Sequence, residues 1–350
     1  MADEGSPHVR RKRYRGTHPR HFSEKYKEHN YQDFPEDLAK VLARGATPAG
    51  SHRPICMAEI LAVLAPVPGE TAVDATLGHG GHASALLRAI APGGRLIGFD
   101  QDAVELARTS ARIVKALADE PGGLGSFMPV HADFSRMREC LDLQGIAGAD
   151  LILADIGLSS MQIDDPERGF SFKRNGRLDM RMDRDSGPSA AQWLAAVSEE
   201  SLAVAISTNA DEEAAVAIAR AICQRRGLLA TTRDLAEAIV SAFPGATFRD
   251  TAMKKVLMRS FQAIRIEVNG EFAALDSLLA TLPSCLNPGG RVAILTFHSG
   301  EERRVEASFA AGLEAGLYAS IASLAIRPGR EERNANPRSA SARLRWAIAP

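Results

Sequence analysis

The amino-acid sequence predicts an α/β fold, in which a doubly wound parallel sheet carries an inserted all-helical domain. Apolar strand patterns alternate with helix patterns in the first and last parts of the chain. The stretch 189–265 between these parts has helical stripes and no strand pattern. The strands are almost continuously apolar, as expected where helices cover both faces of a sheet.

The first sheet unit is Thr71–His82, TAVDATLGHGGH, which follows a helix pattern at Met57–Leu64. It contains an apolar strand that ends in Asp74, then a glycine-rich turn, and it leads into the helix pattern Ala83–Ile90. The apolar strand Arg95–Asp100 comes next. Strand, glycine turn, helix, strand and acid in this order are typical of a site that binds a nucleotide-like cofactor at the carboxyl edge of a sheet.

The spacing of the glycines narrows the choice of cofactor. Because the turn is neither G-x-G-x-x-G nor G-x-x-x-x-G-K-[ST], a pyrophosphate cradle is disfavoured. We expect a compact adenosyl ligand, S-adenosylmethionine, with Gly78 in the turn and Asp100 as the acceptor for the ribose hydroxyls. The alternative is a βαβ unit whose glycines only make a tight turn.

Two further strands are expected to bring side chains to the same edge. The strand Phe127–Phe134 ends in an acid and an aromatic residue, which are suited to the adenine amine and the adenine face. The strand Asp150–Asp155 runs into the loop Ile156–Ser160, at the edge where α/β proteins bind ligands. Asp155 and the Ser159–Ser160 backbone are placed to assist proton loss from an amine, or to bind the methionine end of the cofactor. The alternative role for Asp155 is to cap a helix.

The segments after the fourth strand differ in character. Asp164–Asp185 is rich in both charge signs and is predicted to be a functional loop that covers the site. Thr231–Asp234 is predicted to begin a helix within the helical stretch.

The last part of the chain is predicted to complete the sheet. A helix at Glu271–Leu286 and a turn at Pro288–Gly290 precede the strand Arg291–Phe297, which leads into His298. Arg343–Ile348 is predicted as a terminal strand.

Composition restricts the class of protein more than its partners. The net charge of −1 indicates no particular partner, but residues 1–30 and 327–345 are basic. Basic ends suit a polyanion such as RNA, although a solvated tail is an alternative for the N-terminus. The four cysteines have no C-x-x-C spacing, and no metal-ligand set is apparent. Without an apolar run of about 18 residues or a signal core, we expect no membrane span and a cytoplasmic location.

With these residues in view, the chain resembles the RsmH (MraW) family of methyltransferases from residue 52 almost to its end. The resemblance is carried by HRPICMAEIL, DATLGHGGH, DLILADIGLSSMQIDDPERGFSF, RSFQAIRIEVNGEF, FHSGEER and NPRSASARLR. It implies a class I (Rossmann-like) S-adenosylmethionine-dependent methyltransferase fold. The implied activity is methylation of the N4 amine of a cytosine in the 16S rRNA of the small ribosomal subunit.

The resemblance also implies roles for individual residues. The positions that match cofactor-binding residues of the family are Gly80, Gly81, His82, Asp100, Phe134, Asp155 and Gln162. Gly78, from the glycine turn, completes the set of expected cofactor-binding residues. The candidates for catalysis are Asp155, Ser159, Ser160 and His298. The segments that match RNA-facing or site-lining motifs are Arg168–Phe172, Phe261–Gln262 and Arg338–Arg345. The expected partner is 16S rRNA or the small subunit, and the protein could form a homodimer.

The sequence departs from the family pattern at several positions, most of them on the acceptor side. These are His79, Asp211, Lys255–Met258, Gly300–Glu302 and Ala340. They indicate a divergent branch, whose target cytosine is less certain than its chemistry. The alternatives are a methyltransferase for another RNA or for DNA, a non-catalytic ribosome-assembly factor, and, less favoured, a nicotinamide oxidoreductase.

The predicted organisation follows from these segments. We expect residues 1–50 to be a basic N-terminal extension, and residues 51–163 and 266–350 to form the methyltransferase domain. Residues 164–265 would be the covering loop and the inserted helical domain.

Overall fold

The computed structural model describes residues 54–119 and 125–350. The predictions for the basic extension, residues 1–50, therefore lie outside the described residues. The strands are β1 (Thr71–Asp74), β2 (Arg95–Asp100), β3 (Ser126–His131), β4 (Ala149–Asp155), β5 (Leu286–Thr296), β6 (Ser320–Ile321) and β7 (Arg343–Ile348). The helices are α1 (Met57–Leu64), α2 (Gly81–Ala89), α3 (Ala103–Asp119), α4 (Met137–Leu143), α5 (Ser160–Asp164), α6 (Ala190–Ala196), α7 (Glu199–Ala210), α8 (Ala215–Gln224), α9 (Thr232–Ser241), α10 (Thr251–Asn269), α11 (Glu271–Cys285), α12 (Ser299–Glu314) and α13 (Arg330–Ala335).

The strands form one sheet in the order β3-β2-β1-β4-β5-β7-β6. Strands β1 to β5 pair in parallel, and β7 and β6 pair antiparallel at one edge. Separate clusters of buried apolar side chains cover the two faces of the sheet. The predicted α/β class is therefore confirmed. The chain reverses its winding direction between β1 and β4, which is where ligands bind in open sheets of this type.

Two strands differ from their predicted limits. β3 ends at His131 rather than Phe134, because Asp133 caps a short 3₁₀ helix by accepting a hydrogen bond from the Ser135 N–H at 2.8 Å. β5 begins at Leu286, although a turn was predicted at Pro288–Gly290. Its pairing with β4 shifts in register at this point, so the proline and glycines form an irregularity inside the strand.

The helical stretch was predicted correctly as a set of helices, α6 to α10, and it has its own apolar core. Thr231 begins α9 through a capping box with Asp234, as predicted. The segment Asp164–Asp185 is rich in charged residues, but it also contributes to this core. Phe170, Leu178, Met180 and Met182 are buried in the helical core.

Helix length and hydropathy bear on membrane contact. In the two ranges of the chain that the structure describes, no helix is long and apolar enough to cross a membrane.

Candidate active site

One large cavity, of about 860 Å³, opens at the carboxyl ends of the five parallel strands. The residues that follow β1 to β5 line it, and α5, α10, α12 and the segment 336–341 complete its wall. The parallel arrangement is the reason that distant parts of the sequence meet here. The sequence-predicted residues that line the cavity are Gly78, Gly81, His82, Asp100, Phe134, Asp155, Ser159, Gln162 and His298.

The glycine turn after β1 is fixed by its contacts with β2 and α3. Gly78 has a φ of 46°, and its N–H donates to Asp100 Oδ2 at 2.9 Å, while its carbonyl accepts from Thr109 Oγ1 at 2.6 Å. Gly80, with a φ of 70°, precedes α2. A Cβ on Gly80 would lie 2.7 Å from Thr109 Cγ2, so this glycine allows α3 to pack closely on the turn. Gly80 is not among the described residues that line the cavity.

Asp100 ends β2 at the floor of the cavity. Its two carboxylate oxygens accept from the N–H groups of Gly78 and Asp102, at 2.9 and 2.8 Å. Burial nevertheless raises the pKa of Asp100 to about 6, against the effect of these two hydrogen bonds. The carboxylate is thus held rigidly at the cavity, and each oxygen keeps a lone pair for a hydroxyl donor.

Asp155, His82 and Asp74 form a titratable cluster where β1 and β4 end. His82 Nε2 lies 3.0 Å from the Ile55 carbonyl oxygen, which can only accept, so Nε2 carries the proton. Burial lowers the pKa of His82, and the neutral ring then presents the Nδ1 lone pair to Asp155 Oδ2, 3.6 Å away. Asp74 is buried beneath them, and burial raises its pKa to about 6.

Asp155 has the carboxyl group best suited to exchange a proton in this cavity. Burial first, and then the negative charge of Glu301, raise the pKa of Asp155 to about 7. Its side chain keeps 28% of its surface exposed, and it lines the cavity. A carboxyl group with a pKa near neutrality can accept and release a proton under ordinary conditions.

The loop after β4, whose residues 156–159 line the cavity, leads directly into the start of a helix. Ser159 caps α5, and its Oγ accepts from the Gln162 N–H at 3.1 Å. The Gln162 side chain accepts in turn from the Ser159 N–H at 3.0 Å, which completes a capping box. Ser160 is the first residue of α5. The Ser159 hydroxyl and the Gln162 carbonyl oxygen are therefore already hydrogen-bonded, which leaves the Gln162 NH₂ group for the cavity.

His298 is held at the start of α12. Its Nδ1 accepts weakly from the Glu301 N–H at 3.4 Å, and its Nε2 lies 3.0 Å from Glu301 Oε1. The Phe272 ring lies 5.7 Å from the His298 ring, and a Cβ on Gly300 would meet that phenyl ring at 2.5 Å. Gly300, one of the departures from the family pattern, therefore makes room for Phe272 beside His298.

The remaining wall contains polar groups that the sequence did not single out. Arg265 and Glu271 form a bidentate, largely buried ion pair with both distances at 2.7 Å. Glu301 is 2% exposed and accepts from the Phe297 N–H at 2.7 Å. The H-x-x-E spacing of a capping box is the signal that could have identified Glu301.

The loop Asp164–Asp185 is attached to the sheet next to the cofactor unit. Arg168 forms an ion pair with Asp102 at 2.5 Å, and both side chains are buried. Met182 lines the cavity, and its Sδ accepts from Gln101 Nε2 at 2.9 Å. The loop therefore contributes to the cavity wall, and whether it moves to cover the site stays a prediction.

A cluster of possible metal ligands lies near α1. Ligand atoms of Cys56, Glu59 and Glu332 lie within 4.8 Å of one another. Glu332 accepts a hydrogen bond from the Cys56 N–H at 2.9 Å, across a separation of 276 residues. No sequence spacing could have indicated this group.

Comparison with known proteins agrees with the geometry. A ribosomal RNA small subunit methyltransferase H 2 from Alkaliphilus metalliredigens is 45% identical over 346 residues, which is 97% of each chain. A ribosomal RNA small subunit methyltransferase H 1 from Lachnoclostridium phytofermentans is 42% identical over 349 residues, 97% of this chain and 93% of the relative.

Among solved structures, TrmN from Thermus thermophilus aligns with a TM-score of 0.39 and 13% identity. That alignment covers 89% of this chain and 52% of TrmN, and the assignment does not depend on it. The family model that matches residues 49–349 is that of the MraW methylase family. The chain belongs to the MraW methylase family.

Proposed function

We propose that this protein transfers a methyl group from S-adenosylmethionine to the N4 amine of a cytosine in the 16S rRNA of the small ribosomal subunit. The names of the relatives supply the RNA, and membership of a methylase family supplies the reaction class. The main observation behind the proposal is that one cavity lies at the ends of five strands and is lined by the polar side chains expected to bind a methyl donor.

The residues present fit S-adenosylmethionine. A cavity of about 860 Å³ is within the usual range for cofactor sites, about 300–1,000 Å³. Asp100, held by two backbone N–H groups, is assigned to the ribose hydroxyls. Asp133 and Phe134 are assigned to the adenine amine and the adenine face, and both line the cavity.

The cavity also suits a positively charged ligand. The carboxyl groups of Asp100, Asp155 and Glu301 line it, and a cation offsets the cost of keeping such buried groups ionised. His82 and the free NH₂ group of Gln162 are assigned to the methionine end of the cofactor. Gly78, Gly80 and Gly81 are assigned to the turn that brings the backbone close to it.

Bound S-adenosylmethionine supplies an electrophilic methyl group on a sulfonium. The protein then has to position the acceptor amine, exclude water and receive a proton. The N4 amine is a weak nucleophile because its lone pair is delocalised into the ring. We assign Asp155 Oδ2 as the acceptor for an N4 proton, and its pKa of about 7 suits that task. Ser159, Ser160 and His298 are assigned to the rim that positions the base.

The organisation of the chain supports an RNA substrate. We assign residues 51–163 and 266–350 to the methyltransferase domain, and residues 164–265 to a loop and helical domain that help to bind RNA. The basic segments 1–30 and 327–345 are assigned to phosphate contacts. We further propose a cytoplasmic location, and the mass of the particle in solution would decide between a monomer and a homodimer.

The test is methylation of purified small subunits, and of free 16S rRNA, with deuterated S-adenosylmethionine. Nucleoside mass spectrometry should find the label on the exocyclic amine of one cytosine. At saturating S-adenosylmethionine, Asp155→Asn should lose most of the transfer. Label on a ring carbon or a ribose oxygen, or no label in either substrate, would overturn the proposal.

A further inference from the structure

Helix α10 has two faces with different surroundings. Its buried side chains, including Met253, Leu257 and Ile264, pack in the helical core. On the opposite side, residues at alternating steps of four and three form one line along the helix. We call this line the α10 stripe, and its members are Thr251, Lys255, Met258, Gln262, Arg265 and Asn269. The last four of these residues line the cavity.

The α10 stripe leads from the cavity into solvent. Arg265, deep in the site, keeps 15% of its side-chain surface exposed, and Gln262 is half-buried. Met258, at the mouth, is 57% exposed, and Lys255 is exposed one turn further out. At the helical rise, Lys255 lies about 4.5 Å beyond Met258 along the axis. Whatever enters the cavity along this wall passes both residues.

The charged groups at the mouth are not equally available. Arg259 lies 3.6 Å from Glu212, Arg303 lies 3.3 Å from Asp211, and Arg338 lies 2.8 Å from Asp164. By contrast, neither Lys254 nor Lys255 forms an ion pair with any described residue, and both side chains are exposed. Lys255, the exposed lysine of the α10 stripe, is therefore available to pair with an anionic partner.

We propose that Lys255 and Met258 bind the single-stranded RNA that adjoins the methylated nucleotide. Met258 packs its thioether against the face of a base, and Lys255 binds a phosphate one step further along the strand. This inference rests on the proposed function, because a nucleotide that enters the cavity draws its neighbours across the mouth. An apolar side chain beside a free cation matches the alternation of base and phosphate in an unpaired strand.

The surroundings favour this partner over a folded protein. Within α10, Met258 is the one exposed large apolar residue, and it stands between the exposed Lys255 and Arg259, whereas a protein interface needs a larger apolar patch. Lys255 and Met258 both belong to the segment 255–258, in which this sequence departs from the family pattern. The proposed contact is therefore a property of this chain's own residues.

The experiment compares Lys255→Glu and Met258→Ala with matched controls in the full-length protein. The controls are Lys115→Glu and Leu143→Ala, which change an exposed lysine and a 74% exposed leucine outside the cavity wall. Fluorescence anisotropy measures binding to a single-stranded fragment of 16S rRNA. Calorimetry measures S-adenosylmethionine affinity, and light scattering measures the mass of the particle.

Met258→Ala should weaken RNA binding by up to about tenfold, since the contact of a thioether with an aromatic ring contributes at most an effect of that order. Lys255→Glu should weaken it by a similar factor and reduce the slope of log affinity against log salt by about one. Cofactor affinity and kcat should stay as in the wild type, while KM for RNA rises. Lys115→Glu and Leu143→Ala should behave as wild type.

If the wild type bound RNA and both variants bound it with the same affinity, this inference would be overturned and the proposed function would stand. An equal loss in Lys115→Glu would show a general charge effect, and it too would overturn the inference. A changed particle mass in either variant would assign the surface to contacts between copies of the chain. If the wild type bound no RNA and transferred no methyl group, the proposed function itself would fall.

Discussion

Gly80→Ala tests how the cofactor turn is held. At a φ of 70°, a residue with a side chain costs about 1–3 kcal/mol. The new Cβ would also lie 2.7 Å from Thr109 Cγ2 and 3.4 Å from Ile113 Cδ1. Thr109 is fully buried and cannot withdraw, so overpacking adds about 1–3 kcal/mol. We expect the free energy of unfolding to fall by about 2–6 kcal/mol.

Urea denaturation measures this change, and two variants separate its parts. Gly69 also has a positive φ, of 89°, but a Cβ there would meet nothing within 4 Å, so Gly69→Ala isolates the backbone cost. Thr109→Ser removes the clashing methyl group and keeps the hydroxyl that donates to the Gly78 carbonyl. In a Thr109→Ser background, Gly80→Ala should cost at least about 1 kcal/mol less. Equal costs in the two backgrounds, or a loss no larger than that of Gly69→Ala, would refute the packing argument.

Other predictions concern the carboxyl groups of the cavity. The kcat/KM for S-adenosylmethionine should fall as the pH drops through about 7, because Asp155 of the ligand-free protein must be ionised to accept a proton, and a kcat/KM unchanged down to pH 5.5, ~1.5 units lower, would exclude it. Asp100→Asn should weaken S-adenosylmethionine binding by at least about tenfold in calorimetry, since a charged acceptor is lost; unchanged affinity would remove the ribose assignment. Burial raises the pKa of Asp74 in the folded protein to about 6. Protonated Asp74 therefore stabilises the fold at low pH, and this contribution to the free energy of unfolding is lost as the pH rises from about 4 to about 6. In Asp74→Asn, the plot of the free energy of unfolding against pH should lose this decline. A plot that runs parallel to that of the wild type would contradict the burial argument.

Much of the fold could be predicted because its signals are local. Apolar runs that end in Asp74, Asp100 and Asp155 give β1, β2 and β4, and parallel strands place those ends at one edge. The limits of β3 and β5 were missed, because a capping aspartate and a glycine irregularity decide them. These features depend on contacts with neighbouring segments.

The site was predicted less completely than the fold. Ile156–Ser160 was predicted as a loop at the ligand-binding edge, but the capping box that Ser159 and Gln162 form there was not predicted. The contact between His82 and Asp155 joins two different strand ends, and the Arg168–Asp102 pair joins a loop to the sheet. No pattern within one segment specifies such a pair, because tertiary packing creates it.

Proton release on cofactor binding would show whether the acidic cavity recognises the positive charge of the donor. Burial raises the pKa values of Asp100 and Asp155 to about 6 and about 7, and a bound cation should lower both. At a pH between these values, S-adenosylmethionine should release more protons than S-adenosylhomocysteine, which lacks the sulfonium charge, in calorimetry with different buffers. Equal release by the two ligands would place the sulfonium away from these carboxyl groups.

The most direct measurement is a crystal structure of the protein with S-adenosylhomocysteine. In that structure we expect the adenine beside Phe134, the ribose hydroxyls on the Asp100 carboxylate, and the sulfur facing the side of the cavity that holds Asp155. A ligand bound outside the cavity, or one with its ribose remote from Asp100, would contradict the account.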